Sequence, residues 1–145
     1  MHNNGSGNSR IALLLTLMTA MLGIQFVAGI YVSSFYISEG SSFSEVLLQS
    51  ASFPILTLHI VLGAATFMVS LYAFVIGAAS RQKYILLVLL GLNSLCILGA
   101  GISGVFYLST KSAVYTFGMA MFWLLAFGFI GFSQTLLRSS SKAKS

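Results

Sequence analysis

Four long apolar runs, separated by short polar stretches, dominate the pattern of this chain. Each run exceeds the 20 or so residues that a helix needs to cross the hydrocarbon core of a bilayer, and charged residues stand at the ends of the runs rather than inside them. The pattern predicts an all-α, four-helix transmembrane bundle. The predicted helices cover residues 10–36, 53–80, 84–108 and 113–137.

The polar stretches predict the segments outside the membrane. Residues 1–9 are small, polar and rich in Gly and Asn, so we expect a disordered tail. Residues 37–52 form the longest predicted loop and hold both acidic residues of the chain, and Ser42 followed by Glu45 three positions later is typical of a capping box. The basic residues 138–145 predict a second polar tail.

The composition excludes a soluble domain. Hydrophobic residues make up 57% of the chain, charged residues 6%, and the mean hydropathy is +0.96, whereas about a quarter of the residues of a soluble domain are charged. The net charge of +5 does not indicate nucleic-acid binding, because the basic residues lie at the ends of apolar runs. Cys96 is the only cysteine, which excludes an intramolecular disulfide.

The distribution of Lys and Arg predicts the orientation in the membrane. Six of the seven basic residues fall on the side of the two termini and the 81–83 turn, and Lys111 alone falls on the other. Positive residues are retained on the cytoplasmic side. We therefore expect a multi-pass protein of the cell membrane with both termini in the cytoplasm and loop 37–52 outside.

The second apolar run carries His59, the only histidine outside the N-terminal segment. Steps of three or four residues from His59 trace a helical stripe of mostly small or mildly polar residues, namely Gly63, Thr66, Ser70, Phe74 and Gly77. Small residues mark close helix contacts in membranes, so we expect this stripe, and Gln25 of the first run, to face other helices.

Two interpretations of His59 remain open. A neutral imidazole that hydrogen-bonds a neighbouring helix is one, and an axial ligand of a b-type haem is the other. The haem interpretation uses Gly63 as clearance for the macrocycle and Met119 or Met121 of the fourth run as a second, thioether ligand. A five-coordinate haem, or one shared between the His59 residues of a homodimer, is the variant without a methionine.

The segments LHIVLGAATFMVSLYAFVIGAASR (58–81) and LCILGAGISGVFYLS (95–109) resemble the histidine-bearing helix and the following glycine-containing helix of heme A synthases. Those enzymes consist of two four-helix halves, so the resemblance implies one half and a haem-bundle ancestry. The sequence departs from the family in the fourth run, where Tyr115, Thr116 and Met119 stand in place of the partner histidine.

Catalytic chemistry finds little support in the residues. No carboxylate lies in an apolar run, and no metal-ligand cluster, nucleophile–base pair or phosphate-binding loop is present. We expect a haem-binding or accessory subunit of a membrane redox complex that takes part in electron transport. The alternatives are a purely structural subunit that packs on larger subunits or lipid, and a small transporter whose polar path requires Gln25, Asn93 and His59 to converge.

Overall fold

Uninterrupted runs of Leu, Ile, Val, Phe and Ala can satisfy their backbone groups within a membrane only by forming helices. The computed structural model describes residues 4–35, 44, 45, 48, 53–80 and 82–142, and four long helices account for nearly all of them. All four are long and apolar enough to span a bilayer, which confirms the predicted all-α multi-pass membrane bundle. The helices are α1 (Asn4–Phe35), α2 (Pro54–Ala79), α3 (Tyr84–Thr110) and α4 (Ala113–Lys142).

The helices extend beyond the predicted ends at both termini. Residues 4–9, expected to be disordered, continue α1, because this turn packs on the α2–α3 connection. There the Nε2 atom of Gln82 donates a 2.8 Å hydrogen bond to Oδ1 of Asn8, and a Cβ on Gly7 would lie 2.9 Å from Oγ of Ser80. At the other end α4 continues to Lys142 instead of stopping near Leu137.

Two helix boundaries have a clear local cause. Pro54 opens α2 at a position where its missing N–H is not needed. At the end of α3, Lys111 takes a left-handed conformation with φ of 55°, and its N–H donates to the carbonyl of Tyr107 at 2.8 Å. Partial burial lowers the pKa of the Lys111 ammonium group, which lies 5.9 Å from the centroid of the Tyr107 ring. Of the predicted capping box, Ser42 falls outside the described residues, whereas Glu45 is described and is helical.

The four helices form a ring in which each packs on two neighbours. Within the described residues the backbone of α1 approaches α2 and α4, and that of α3 likewise approaches α2 and α4, whereas the backbones of the diagonal pairs stay farther apart. The α1–α4 interface centres on Trp123, whose Nε1–H donates to the carbonyl of Leu22 at 3.0 Å and whose ring stacks on Phe26 and Phe127. Buried residues from all four helices fill the space between them.

The outer surface of the bundle is apolar, as contact with lipid or other membrane subunits requires. Large hydrophobic side chains are exposed along every helix, and α4 is the least buried of the four spans. Phe117 and Phe132, both on α4, are each 67% exposed. The polar side chains of the spans therefore have to be sought at the contacts between helices.

Candidate functional site

His59 lies in the second turn of α2, where its imidazole packs against a glycine of α1. The Cε1 atom of the ring is 3.1 Å from the position that a Cβ on Gly29 would occupy. A side chain at position 29 would therefore press on the ring. The His59 ring fits between the two helices because Gly29 has no side chain.

Gln25 makes the reciprocal contact one turn away along α1. Its Nε2 atom lies 2.7 Å from the position of a Cβ on Gly63 of α2. Gln25 and Gly29 are four residues apart on α1, as His59 and Gly63 are on α2, so each helix offers one polar side chain and one glycine. The antiparallel helices thus exchange side chains, and the expectation that Gln25 faces another helix is confirmed.

Gln25 and His59 each keep one buried polar atom that makes no hydrogen bond within the described residues. Neither Oε1 of Gln25 nor Nδ1 of His59 has a hydrogen-bond partner in the described part of the chain. His59 is therefore held against α1 by the close fit of its ring on Gly29.

The two candidate methionine ligands lie elsewhere. The sulfur of Met119 is 3.5 Å from the position of a Cβ on Gly104, at the α3–α4 interface. Met121 is 42% exposed on α4. The structure therefore groups His59 and Gly63 with Gln25 and Gly29 at the α1–α2 interface. The backbones of α2 and α4 do not approach each other closely within the described residues, and both methionines lie apart from this group.

A haem on His59 does not fit this packing. The ring rests on Gly29, and the space at Gly63 that was expected to clear a macrocycle is filled by the amide of Gln25. No group of three or more His, Cys, Asp or Glu side chains that could hold a metal ion occurs among the described residues. The arrangement supports tight pairing of α1 and α2.

A second polar cluster joins α2 to α3 in the middle part of the two helices. Ser94 Oγ donates to the carbonyl of Leu90 at 3.1 Å, so Ser70 must donate the 2.7 Å hydrogen bond between the two hydroxyl groups. Asn93 Nδ2 in turn donates to Ser70 Oγ at 2.8 Å. All three polar side chains are buried, and the amide oxygen of Asn93 has no partner among the described residues.

This Ser70–Asn93–Ser94 cluster is not identified by the sequence analysis. The sequence pattern puts Ser70 on the inward stripe of α2 and Asn93 on a polar path, but it does not pair them. The signal in the sequence is the Asn-Ser pair in the middle of an apolar run. Gln25 and His59 lie at the α1–α2 interface, whereas Asn93 of α3 is hydrogen-bonded to Ser70 at the α2–α3 interface. His59 and Ser70 are 11 residues apart, which corresponds to roughly 16 Å along α2, so the residues of the suggested polar path do not converge.

Comparison with known proteins provides no further assignment. No family model, no curated protein and no solved structure matches this chain. The function must accordingly be argued from the two polar interfaces and from the exposed surface.

Proposed function

We propose that this chain is a non-catalytic accessory subunit of a larger complex in the cell membrane, with both termini in the cytoplasm. The observation that carries the proposal is that the polar side chains at the α1–α2 and α2–α3 interfaces hold the bundle's own helices together. The resemblance to heme A synthases favours a redox complex as the setting. The role of such a subunit is to pack against larger subunits and stabilise them.

The exposed aromatic face of α4 is the surface that suits this role best. Phe117 and Phe132 are among the most exposed large side chains of the bundle, and α4 buries the smallest share of its span. Aromatic residues contribute large contact areas and are enriched in the cores of protein interfaces. A larger membrane subunit packed on α4 would cover both rings.

Native electrophoresis of membranes solubilised in mild detergent tests the proposal. We expect the chain to migrate in an assembly well above its own 15.5 kDa, and we expect deletion of the chain to lower the abundance of the co-migrating subunits. The Phe117→Ala/Phe132→Ala variant should leave the assembly while remaining folded. The control is Leu13→Ala/Val27→Ala, which alters two equally exposed residues of α1. A chain that migrates alone from native membranes would refute the accessory role.

A b-type haem on His59 is the second candidate, and the partnerless Nδ1 atom is the observation that favours it. Because the packing in this structure leaves no room for a macrocycle, this candidate requires Gln25 to leave Gly63 and the His59 ring to move away from Gly29. It predicts a Soret band that shifts on reduction of the purified protein and disappears in His59→Ala. A colourless protein, purified under conditions that retain haem in a b-type cytochrome control, would eliminate this candidate and leave the accessory proposal standing.

A further inference from the structure

Three exposed cations lie where the helices leave the membrane on the side of the chain termini. This group, the inner rim, consists of Arg10, Lys83 and Arg138. The hydrogen bond between Gln82 and Asn8 joins the start of α1 to the α2–α3 connection, which places Arg10 near Lys83. The third cation, Arg138, lies about one turn before the end of α4, the helix that packs on both α1 and α3.

Buried packing holds these three helix ends together. Each cation of the inner rim lies close in sequence to a buried hydrophobic residue, and all three buried residues belong to the same core cluster. The separation is one residue for Arg10 and Arg138 and three residues, about one helical turn, for Lys83. Those buried residues are Ile11, Leu86 and Leu137. The positions of the rim residues thus follow from the core and do not depend on contacts between the cations themselves.

The counter-charge of the inner rim has to come from outside the chain's own side chains. The only acidic residues of the sequence, Glu39 and Glu45, both belong to the segment that connects the end of α1 to the start of α2, whereas the inner rim lies at the start of α1, before α3 and near the end of α4. The sequence near the rim adds further cations, among them Lys142 in the last turn of α4. A group of like charges without acidic neighbours attracts anions strongly.

We propose that the inner rim binds the headgroups of anionic phospholipids from the adjoining leaflet. Guanidinium groups match phosphate oxygens in a bidentate geometry, and ammonium groups add charge. A lipid is a better occupant than free phosphate because exposed apolar side chains continue directly into the membrane from the rim. Leu13, 70% exposed, and Ile85, 55% exposed, offer the acyl chains a surface within one turn of Arg10 and Lys83.

Lipid retention tests this proposal, which holds whether or not the chain has a protein partner. The full chain is reconstituted in vesicles of equimolar phosphatidylcholine and phosphatidylglycerol and extracted in mild detergent, and the retained lipids are quantified by mass spectrometry. We expect phosphatidylglycerol to be enriched over phosphatidylcholine. Each rim cation contributes a factor of about five to that enrichment, so Arg10→Gln, Lys83→Gln and Arg138→Gln should each lower it. Lys111→Gln, at the other end of the bundle, should not.

The outcomes separate a lipid site from two alternatives. Equal retention of the two lipids, or an enrichment that survives in all three rim variants, would overturn the proposal. Displacement of phosphatidylglycerol by millimolar inorganic phosphate would also overturn it, because the site would then accept the free anion as readily as the lipid. Because each single variant keeps two of the three cations and an unchanged core, circular dichroism should show wild-type helicity for each.

Discussion

The two polar interfaces of α2 differ in how they use their polar groups. Toward α3, the hydroxyl of Ser70 accepts a hydrogen bond from Asn93 and donates one to Ser94. The hydroxyl of Ser94 in turn donates to the backbone carbonyl of Leu90. Toward α1, Gln25 and His59 rest in glycine gaps, with one buried atom of each left without a partner among the described residues. The first interface depends on hydrogen bonds and the second on shape.

This difference indicates what each interface can tolerate. Hydrogen bonds between membrane helices contribute about 0.6 kcal/mol on average and at most about 1.7 kcal/mol each, so the Ser70–Asn93–Ser94 cluster is a modest source of stability. Close backbone approach, by contrast, depends on the absence of a side chain and fails abruptly when one is added. The α1–α2 interface should therefore be sensitive to added volume, and the α2–α3 interface to lost hydroxyl or amide groups.

Gly29→Leu should produce the largest effect. The new side chain would meet the His59 ring, whose Cε1 atom lies 3.1 Å from the Cβ position, and we expect a loss of about 3 kcal/mol from overpacking. The unfolding free energy can be measured by steric trapping in bicelles. Gly23→Leu is the matched control on the same helix, because nothing lies within 4 Å of a Cβ there. Equal losses at positions 23 and 29 would contradict a close α1–α2 contact.

Ser70→Ala should rank second, with a loss of about 1–2 kcal/mol. The substitution leaves the amide of Asn93 without its acceptor and Ser94 without its donor. Thr135→Ala is the control, because that exposed hydroxyl bonds only the carbonyl of Gly131 on its own helix. The same steric-trapping assay applies, and a Ser70→Ala protein as stable as the control would show that the network adds nothing to the fold.

Gln25→Leu should change the unfolding free energy by no more than about 0.5 kcal/mol, because it removes a buried oxygen that has no partner. Asn93→Leu likewise replaces a buried amide, but the Asn93 amide donates a hydrogen bond to Ser70. This substitution should therefore lower the unfolding free energy by about 1 kcal/mol. The comparison is best made by titration with sodium dodecyl sulfate, followed by circular dichroism. If Gln25→Leu proved the more costly of the two, the Gln25 amide would have to be bonded in the membrane, and the contrast between the interfaces would disappear.

Thr66→Val should have the smallest effect, a few tenths of a kcal/mol. Thr66 is fully buried on α2 between the two interfaces, but its hydroxyl donates to the carbonyl of Leu62 on its own helix at 2.7 Å. Because this hydroxyl makes no hydrogen bond to another helix among the described residues, its loss should change the unfolding free energy only slightly. The titration that compares Gln25→Leu with Asn93→Leu serves here too, and a loss as large as that of Ser70→Ala would show that burial of a hydroxyl, rather than its partner, sets the cost.

The sequence predicts the number of helices and the inward face of α2 because both depend on local composition. The start of α1 was not predictable, since residues 4–9 are poor helix formers that gain a partner in Gln82 only after the bundle forms. The exchange at the α1–α2 interface was also missed, because it depends on the register of two antiparallel helices. The pattern that could have suggested it is a polar residue followed by glycine four positions later, found at Gln25 and again at His59.

Trp123 gives the protein a built-in optical reporter. It is the only tryptophan in the chain, and its indole N–H is bound to the carbonyl of Leu22 across the α1–α4 interface. Any separation of these helices would release that N–H and unstack the ring from Phe26, changing the wavelength and intensity of emission. The closing of the helical ring can therefore be followed by intrinsic fluorescence, in detergent or in a bilayer, without attaching a dye.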